Sequence, residues 1–219
     1  MSWSYQYNPA IWPSIFTILL LTMLAVYAWR RRSLQSARWF VIYCLLSSLF
    51  LSAKVIEFLA VEFETKIFWF NVEYPWLMPG TTALTCFILD YAWPGRWVTR
   101  RSLILLSIVP LMGFGLTFTN QFHHLLFKGY DFNGDVVPLY GPVGWLFLVY
   151  NLGLRVISIT ALAWLFIRSP QHRLPAVLIL LAETMVGAAL VFDPYIEESR
   201  FLYIPEKTLP VVASAIALF

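Results

Sequence analysis

Six ionisable side chains fall inside stretches that are otherwise apolar: Lys54, Glu57, Glu73, Asp90, Arg155 and Glu183. At a lipid-facing midplane each would cost about 2.5 to 3.5 kcal/mol. Five of them left unpaired would cost more than about 10 kcal/mol, comparable to the stability of a whole fold. Such groups are therefore expected to face one another inside a bundle. Lys54 and Glu57 stand three positions apart and share a helix face, and Glu73 lies at similar depth on the next, antiparallel stretch. Arg155 and Glu183 match in depth near the middle of two further antiparallel stretches. The pattern predicts an outer cluster of Lys54, Glu57 and Glu73 and a midplane pair of Arg155 with Glu183. Two uses fit such groups: fixing the register of helices, or lining a ligand pocket that carries a two-state switch. Asp90, near the inner end of its stretch, is expected to reach water or a nearby arginine. Trp76, Phe87, Trp145 and Tyr150 complete the candidate site as apolar walls on the inward faces of the second, third, fifth and sixth stretches.

The elements that must position these residues follow from composition. The chain is 60% hydrophobic and 12% charged, with mean hydropathy +0.71, against about 25% charged residues in soluble domains. Seven apolar stretches run over 10–29, 39–61, 67–92, 102–119, 145–167, 174–192 and 208–219. About 20 helical residues, rising about 1.5 Å each, cross a hydrocarbon layer of about 30 Å. The runs are continuous and lack the alternation of barrel strands, so the spans are read as helices whose backbone bonds close internally. The first is too long for a secretory signal core, and Arg30, Arg31 and Arg32 follow it in place of a cleavage site. The expected fold is all-α: one polytopic seven-helix membrane bundle over residues 1–219, embedded in a lipid bilayer.

Arginines set the orientation. Arg30, Arg31, Arg32 and Arg38 follow the first span, Arg96, Arg100 and Arg101 the third, and Arg168 and Arg173 the fifth, while the other connections mix lysines with carboxylates. By the positive-inside rule the arginine loops are cytoplasmic and Met1 is outside. The net charge of +3 thus reports topology and requires no nucleic-acid partner. Trp3, Trp12, Trp29, Trp39, Trp69, Trp93, Trp97 and Trp145 lie near span ends, where amphipathic rings suit the headgroup layer. Cys44 and Cys86 are expected as free thiols. No metal-ligand spacing, phosphate-cradling loop or nucleophile elbow is present, so neither a metal nor a cofactor is expected.

Pro75 and Pro79 inside the third span each remove a backbone donor and predict a bend. The longest external connection, 120–144, contains Asn120, His123 and His124, and then Asn133-Gly134, a dipeptide suited to a hairpin turn. A small extracellular β-hairpin between the fourth and fifth helices is expected. The adjacent His123 and His124 would point apart on a regular element, which favours ordered loop histidines bonded to neighbours over metal ligands.

The order of Glu57, Lys66, Trp69, the run from Tyr74 through Pro79 to Phe87, Leu89, Tyr91, Arg100 and Arg101 resembles the N-terminal seven-transmembrane sensor region of prokaryotic histidine kinases. Further on, Pro110, Thr119-Asn120 with His123-His124-Leu125, Tyr140-Gly141-Pro142 with Trp145, and Thr208-Leu209-Pro210 carry the same likeness. The resemblance implies a receptor in the plasma membrane of a prokaryote that binds a small-molecule or lipid ligand in the bundle or its outer mouth. It also implies a homodimer whose last helix drives a cytoplasmic output module, in cis or in trans. No phosphoacceptor box or ATP-binding glycine motif follows in the chain, so it is itself expected to be no enzyme. A small transporter or channel is the alternative, favoured by Arg155, Glu183 and the proline-broken third span and opposed by the lack of an internal repeat. A retinal protein would need a lysine within the last helix, where Lys207 stands only at the edge, and an intramembrane hydrolase would need paired aspartates.

Overall fold

A computed structural model describes residues 3–30, 35–132 and 136–192. They form six α-helices and one hairpin: α1 (Trp12–Arg30), α2 (Gln35–Leu59), α3 (Phe63–Ala92), α4 (Arg100–His123), β1 (Phe127–Phe132), β2 (Val136–Tyr140), α5 (Pro142–Arg168) and α6 (Arg173–Phe192). Four of the helices, α1, α2, α4 and α5, are long and apolar enough to cross a membrane. The seventh expected span, 208–219, lies outside the described residues.

Local signals set the helix ends. Asn8 accepts a hydrogen bond from the Ala10 amide (3.0 Å) and caps the turn that leads into α1. Thr99 and Ser102 form a reciprocal capping box at the start of α4. At the other end of α4, His124 takes the left-handed conformation (φ 51°) and its amide bonds to the Asn120 carbonyl. Pro142 occupies the first turn of α5, where its missing N–H costs nothing. Hydropathy alone places the start of the third span at residue 67, whereas α3 begins at Phe63 and stays helical through both Pro75 and Pro79. The charged residues Glu64 and Lys66 hid this first turn from a hydropathy argument.

Central to the bundle is α3, which packs most extensively on α2 and also contacts α4 and α5; α1 leans on α2, and α6 on α5. The α1 stripe Thr17, Leu21, Ala25 and Ala28 recurs every three or four residues, and its small members let α1 approach α2 closely. One core joins this stripe to Phe40, Cys44 and Phe50 of α2, Leu84, Phe87 and Ile88 of α3, Leu162 of α5 and Ile179 of α6. A second core, at the opposite end of α3, gathers Phe70, Tyr74, Met78, Phe147 and the hairpin residues Leu126, Phe127 and Val136.

The expected hairpin is present as two antiparallel strands, in register from Phe127 opposite Tyr140 to Phe132 opposite Val136, with an irregularity between Phe127 and Gly129. Its Asn133-Gly134 turn lies outside the described residues. Phe63 of α3 meets Phe132 edge to face at 5.4 Å, and Tyr5 of the N-terminal segment bridges to Ala60 in the α2–α3 turn. The N-terminal segment, that turn and the hairpin therefore share one end of the bundle. Arg30, Arg38, Arg96, Arg100, Arg101, Arg168 and Arg173 sit at the helix ends and turns that lead away from it.

Gly141 shows how tightly the hairpin is seated. A Cβ there would lie 2.3 Å from the Leu125 carbonyl oxygen and 2.7 Å from its carbon. Both are backbone atoms and cannot step aside. Gly141→Ala is expected to destabilise the protein by about 1 to 3 kcal/mol, the usual cost of forcing extra volume into a packed site. Thermal unfolding in nanodiscs checks this; an unchanged midpoint would mean that the 124–126 segment yields freely.

Candidate functional site: an ionic cluster between two helices

Lys54 and Glu57 lie near the end of α2, just before the turn into α3, and their three-residue spacing places them on the face that meets Glu73. The Lys54 Nζ donates to Glu57 Oε2 at 2.6 Å and stands 3.5 Å from Glu73 Oε1. Side-chain exposures of 23% for Lys54, 1% for Glu57 and 5% for Glu73 make this a buried cluster with a partly open cation. One ammonium so placed bridges a carboxylate on its own helix and a carboxylate on the neighbour. Relative sliding of α2 and α3 would have to break or exchange these contacts.

At the end of α2 that leads into α3 is a recess of about 240 Å³ lined by Gln6, Tyr7, Asn8, Phe58, Leu59, Ala60 and Val61. It begins one residue beyond Glu57. Two backbone bonds, from the Gln6 amide to the Leu59 carbonyl (2.9 Å) and from the Val61 amide to the Ser4 carbonyl (3.0 Å), hold the N-terminal segment beside it. Sequence reasoning missed this strand-like strap, because a single short bridge leaves no periodicity.

The other expected site residues are dispersed. Phe87 is fully buried against Phe40 of α2, at 5.5 Å between ring centroids. Trp76 faces α4, edge to face with Phe114 at 5.6 Å. Arg155 is partly buried on α5, and the side chain of Glu183, its expected partner, lies outside the described residues. Trp145 corrects an expectation: it is 57% exposed and packs beside Tyr140, so it does not line the interior. The buried stripe of α5 runs through Gly144, Phe147, Leu154, Ser158 and Ala161, and Trp145 is one residue, about 100° of helix, off that stripe. Asp90 also departs from the reading. It does not reach water but is 1% exposed, and its Oδ1 accepts the Gly95 amide at 2.9 Å, closing the turn after α3 where Gly95 takes φ 67°.

Tyr150 proves to be a polar junction as much as a wall. Its hydroxyl donates to the Leu106 carbonyl of α4 (2.9 Å) and lies 3.0 Å from the Thr82 hydroxyl of α3. Three residues further along α3, just under one turn, Thr85 accepts from Ser158 of α5 at 3.1 Å.

At the hairpin end of α4, Asn120 is 5% exposed and anchors the hairpin. Its Oδ1 accepts from the amides of Leu126 (3.0 Å) and Phe127 (3.1 Å), and its Nδ2 donates to the Phe127 carbonyl (2.9 Å). His123 shares a hydrogen bond with Thr119 (3.0 Å) and accepts from the Leu125 amide (3.0 Å). That is the behaviour of an ordered loop histidine. His124 serves through its backbone as the helix cap. Tyr130 donates to Asn71 Oδ1 at 2.8 Å, linking hairpin to α3; burial holds its phenol above the usual value, with the Asn71 bond pulling it down. Among the described residues no three His, Cys, Asp or Glu gather as a metal site, and both cysteines are buried free thiols.

Searches of curated proteins and of solved structures gave no match. A family model described as the N-terminal 7TM region of histidine kinase matches residues 13–204. With the match covering most of the helical bundle, the chain belongs to the family of N-terminal seven-transmembrane regions of histidine kinases.

Proposed function

We infer that this chain is a seven-span sensory input unit, N-terminus outside the plasma membrane of a prokaryote, that binds a small or lipophilic ligand at the outer mouth of the α2–α3 interface. The last span, 208–219, would carry the response to a cytoplasmic histidine kinase or other output module, in cis or in trans, from a homodimer. The observation that carries this reading is the Lys54, Glu57 and Glu73 cluster, where one partly open ammonium links carboxylates on two helices, with a recess at the adjoining end of α2. Membership of a sensor-region family supports the role. Segregation of the arginines to the end away from the hairpin supports the orientation, because basic loops are retained in the cytoplasm. A ligand that competes for Lys54 or Glu73 would bind the two α2–α3 registers unequally, which is the requirement for shifting a two-state equilibrium.

Mass spectrometry of the protein extracted in native lipid tests the reading. Wild-type protein should carry a specific small molecule or lipid, and Glu73→Gln should reduce its occupancy by about tenfold or more, the loss of one hydrogen bond to a charged group. Identical profiles in both proteins would refute the site. Solute flux through reconstituted wild-type protein would favour a transporter instead.

A further inference from the structure

The two halves of α4 are held differently. Its buried residues are Pro110, Gly113, Thr117 and Asn120, a single stripe that starts at Pro110 and runs outward. Residues 100–109 contribute none, and Ile104, Leu105 and Ile108 among them are exposed. The outer half is pinned: Gly113 brings α4 close to Met78 of α3 and Phe147 of α5, and Asn120 is tied to the hairpin base. Pro110 lacks an N–H, so the Leu106 carbonyl four residues earlier has no helical donor, and the proline ring crowds that same turn. The donor comes from another helix, the Tyr150 hydroxyl at 2.9 Å. The Thr82 hydroxyl has one proton and two acceptors in reach, the Met78 carbonyl (2.9 Å) and the Tyr150 oxygen (3.0 Å); when it donates to Tyr150 it steadies the phenol and leaves the Tyr150 proton to Leu106.

We propose that residues 100–109 of α4 form a half-helix that swings about Pro110, and that the Tyr150 hydroxyl is the latch holding it against α3 and α5. The swing exchanges one interhelical hydrogen bond and little buried surface. It moves the end of α4 that carries Arg100 and Arg101, and it is independent of the ligand site inferred above.

Distances between paired spin labels test the latch in a Cys44→Ala/Cys86→Ala background in nanodiscs. Labels at Val26 and Ile104, both exposed, report the inner half of α4; labels at Phe16 and Phe118, also exposed, report the outer half. Ile104 lies six residues from Pro110, about 9 Å along the axis, so a hinge change of about 20° moves it by about 3 Å. Tyr150→Phe should lengthen or broaden the inner distance by that amount and leave the outer one unchanged. Adding Pro110→Ala, which restores an N–H for Leu106, should return the inner distance to its wild-type width. An unchanged inner distance in Tyr150→Phe, or equal changes in both pairs, overturns the proposal. Should Tyr150→Phe fail to fold, Pro110→Ala alone decides: the inner distribution narrows relative to wild type if the hinge exists, and an unaltered width overturns it.

Discussion

Lys54→Met is expected to cost the protein about 3 to 5 kcal/mol, the penalty for leaving a buried carboxylate without its cation. Glu57 is the group that suffers, because it is 1% exposed and the ammonium sits 2.6 Å from its Oε2. Removing the lysine's charge while keeping a long apolar side chain leaves packing nearly intact, so the effect reports electrostatics. For a chain of this size the loss corresponds to a fall of roughly 6 to 20 °C in the unfolding midpoint. Adding Glu57→Gln should recover a large part of it, since a neutral amide no longer demands a counter-charge, and the double-mutant cycle then isolates the pair. A single-variant shift of less than about 2 °C would show that water reaches the cluster and that it contributes little.

The Lys54, Glu57 and Glu73 cluster was legible in the sequence because the cost of bare charge in lipid requires partners, and a three-residue spacing plus a short turn leaves few candidates. Helix ends were legible where polar caps or prolines mark them, as at Thr99 and Pro142. The hairpin strands were legible from the turn signal between them. Side-chain direction was not. Trp145 fits two expectations, a span-end anchor and an inward wall, and only the second fails: position along a helix does not fix azimuth, and one residue rotates a side chain about 100° away from the bundle. Asp90 differs for a related reason: its nearness in sequence to arginines suggests pairing or access to water, whereas the tight turn at Gly95 brings a backbone amide to it first. The Tyr150 contact to Leu106 left a trace that could have been found. Every proline inside a helix frees the carbonyl four residues earlier, so Pro110 announced an acceptor at Leu106 in need of a donor, though not which helix would provide it.

Asn120→Leu should release the hairpin from the bundle, and the size of the effect follows from counting what the amide satisfies. Three buried backbone groups depend on it: the amides of Leu126 and Phe127 and the Phe127 carbonyl. Each such group left unsatisfied costs about 1 to 3 kcal/mol, and both Leu126 and Phe127 are 0% exposed, so water cannot substitute without moving the segment. Leucine keeps the branched shape but has no polar atoms, so the chief change is the loss of these hydrogen bonds. The weakest outcome, about 3 kcal/mol, would raise the population of the detached hairpin roughly a hundredfold. Lys128 lies in β1 and is exposed, giving trypsin a bond to cut once the strand lifts from Phe70 and Tyr74. When opening is fast relative to cleavage, the cutting rate tracks the open population, so cleavage after Lys128 in nanodiscs should accelerate about a hundredfold, with fragment masses identifying the bond. A rate equal to wild type would mean that the aromatic contacts of Phe127, with Tyr74 at 4.8 Å and Phe70 at 5.5 Å, hold the hairpin without the asparagine. In that case the hairpin is seated on α3 by these aromatic contacts together with the Tyr130–Asn71 bond.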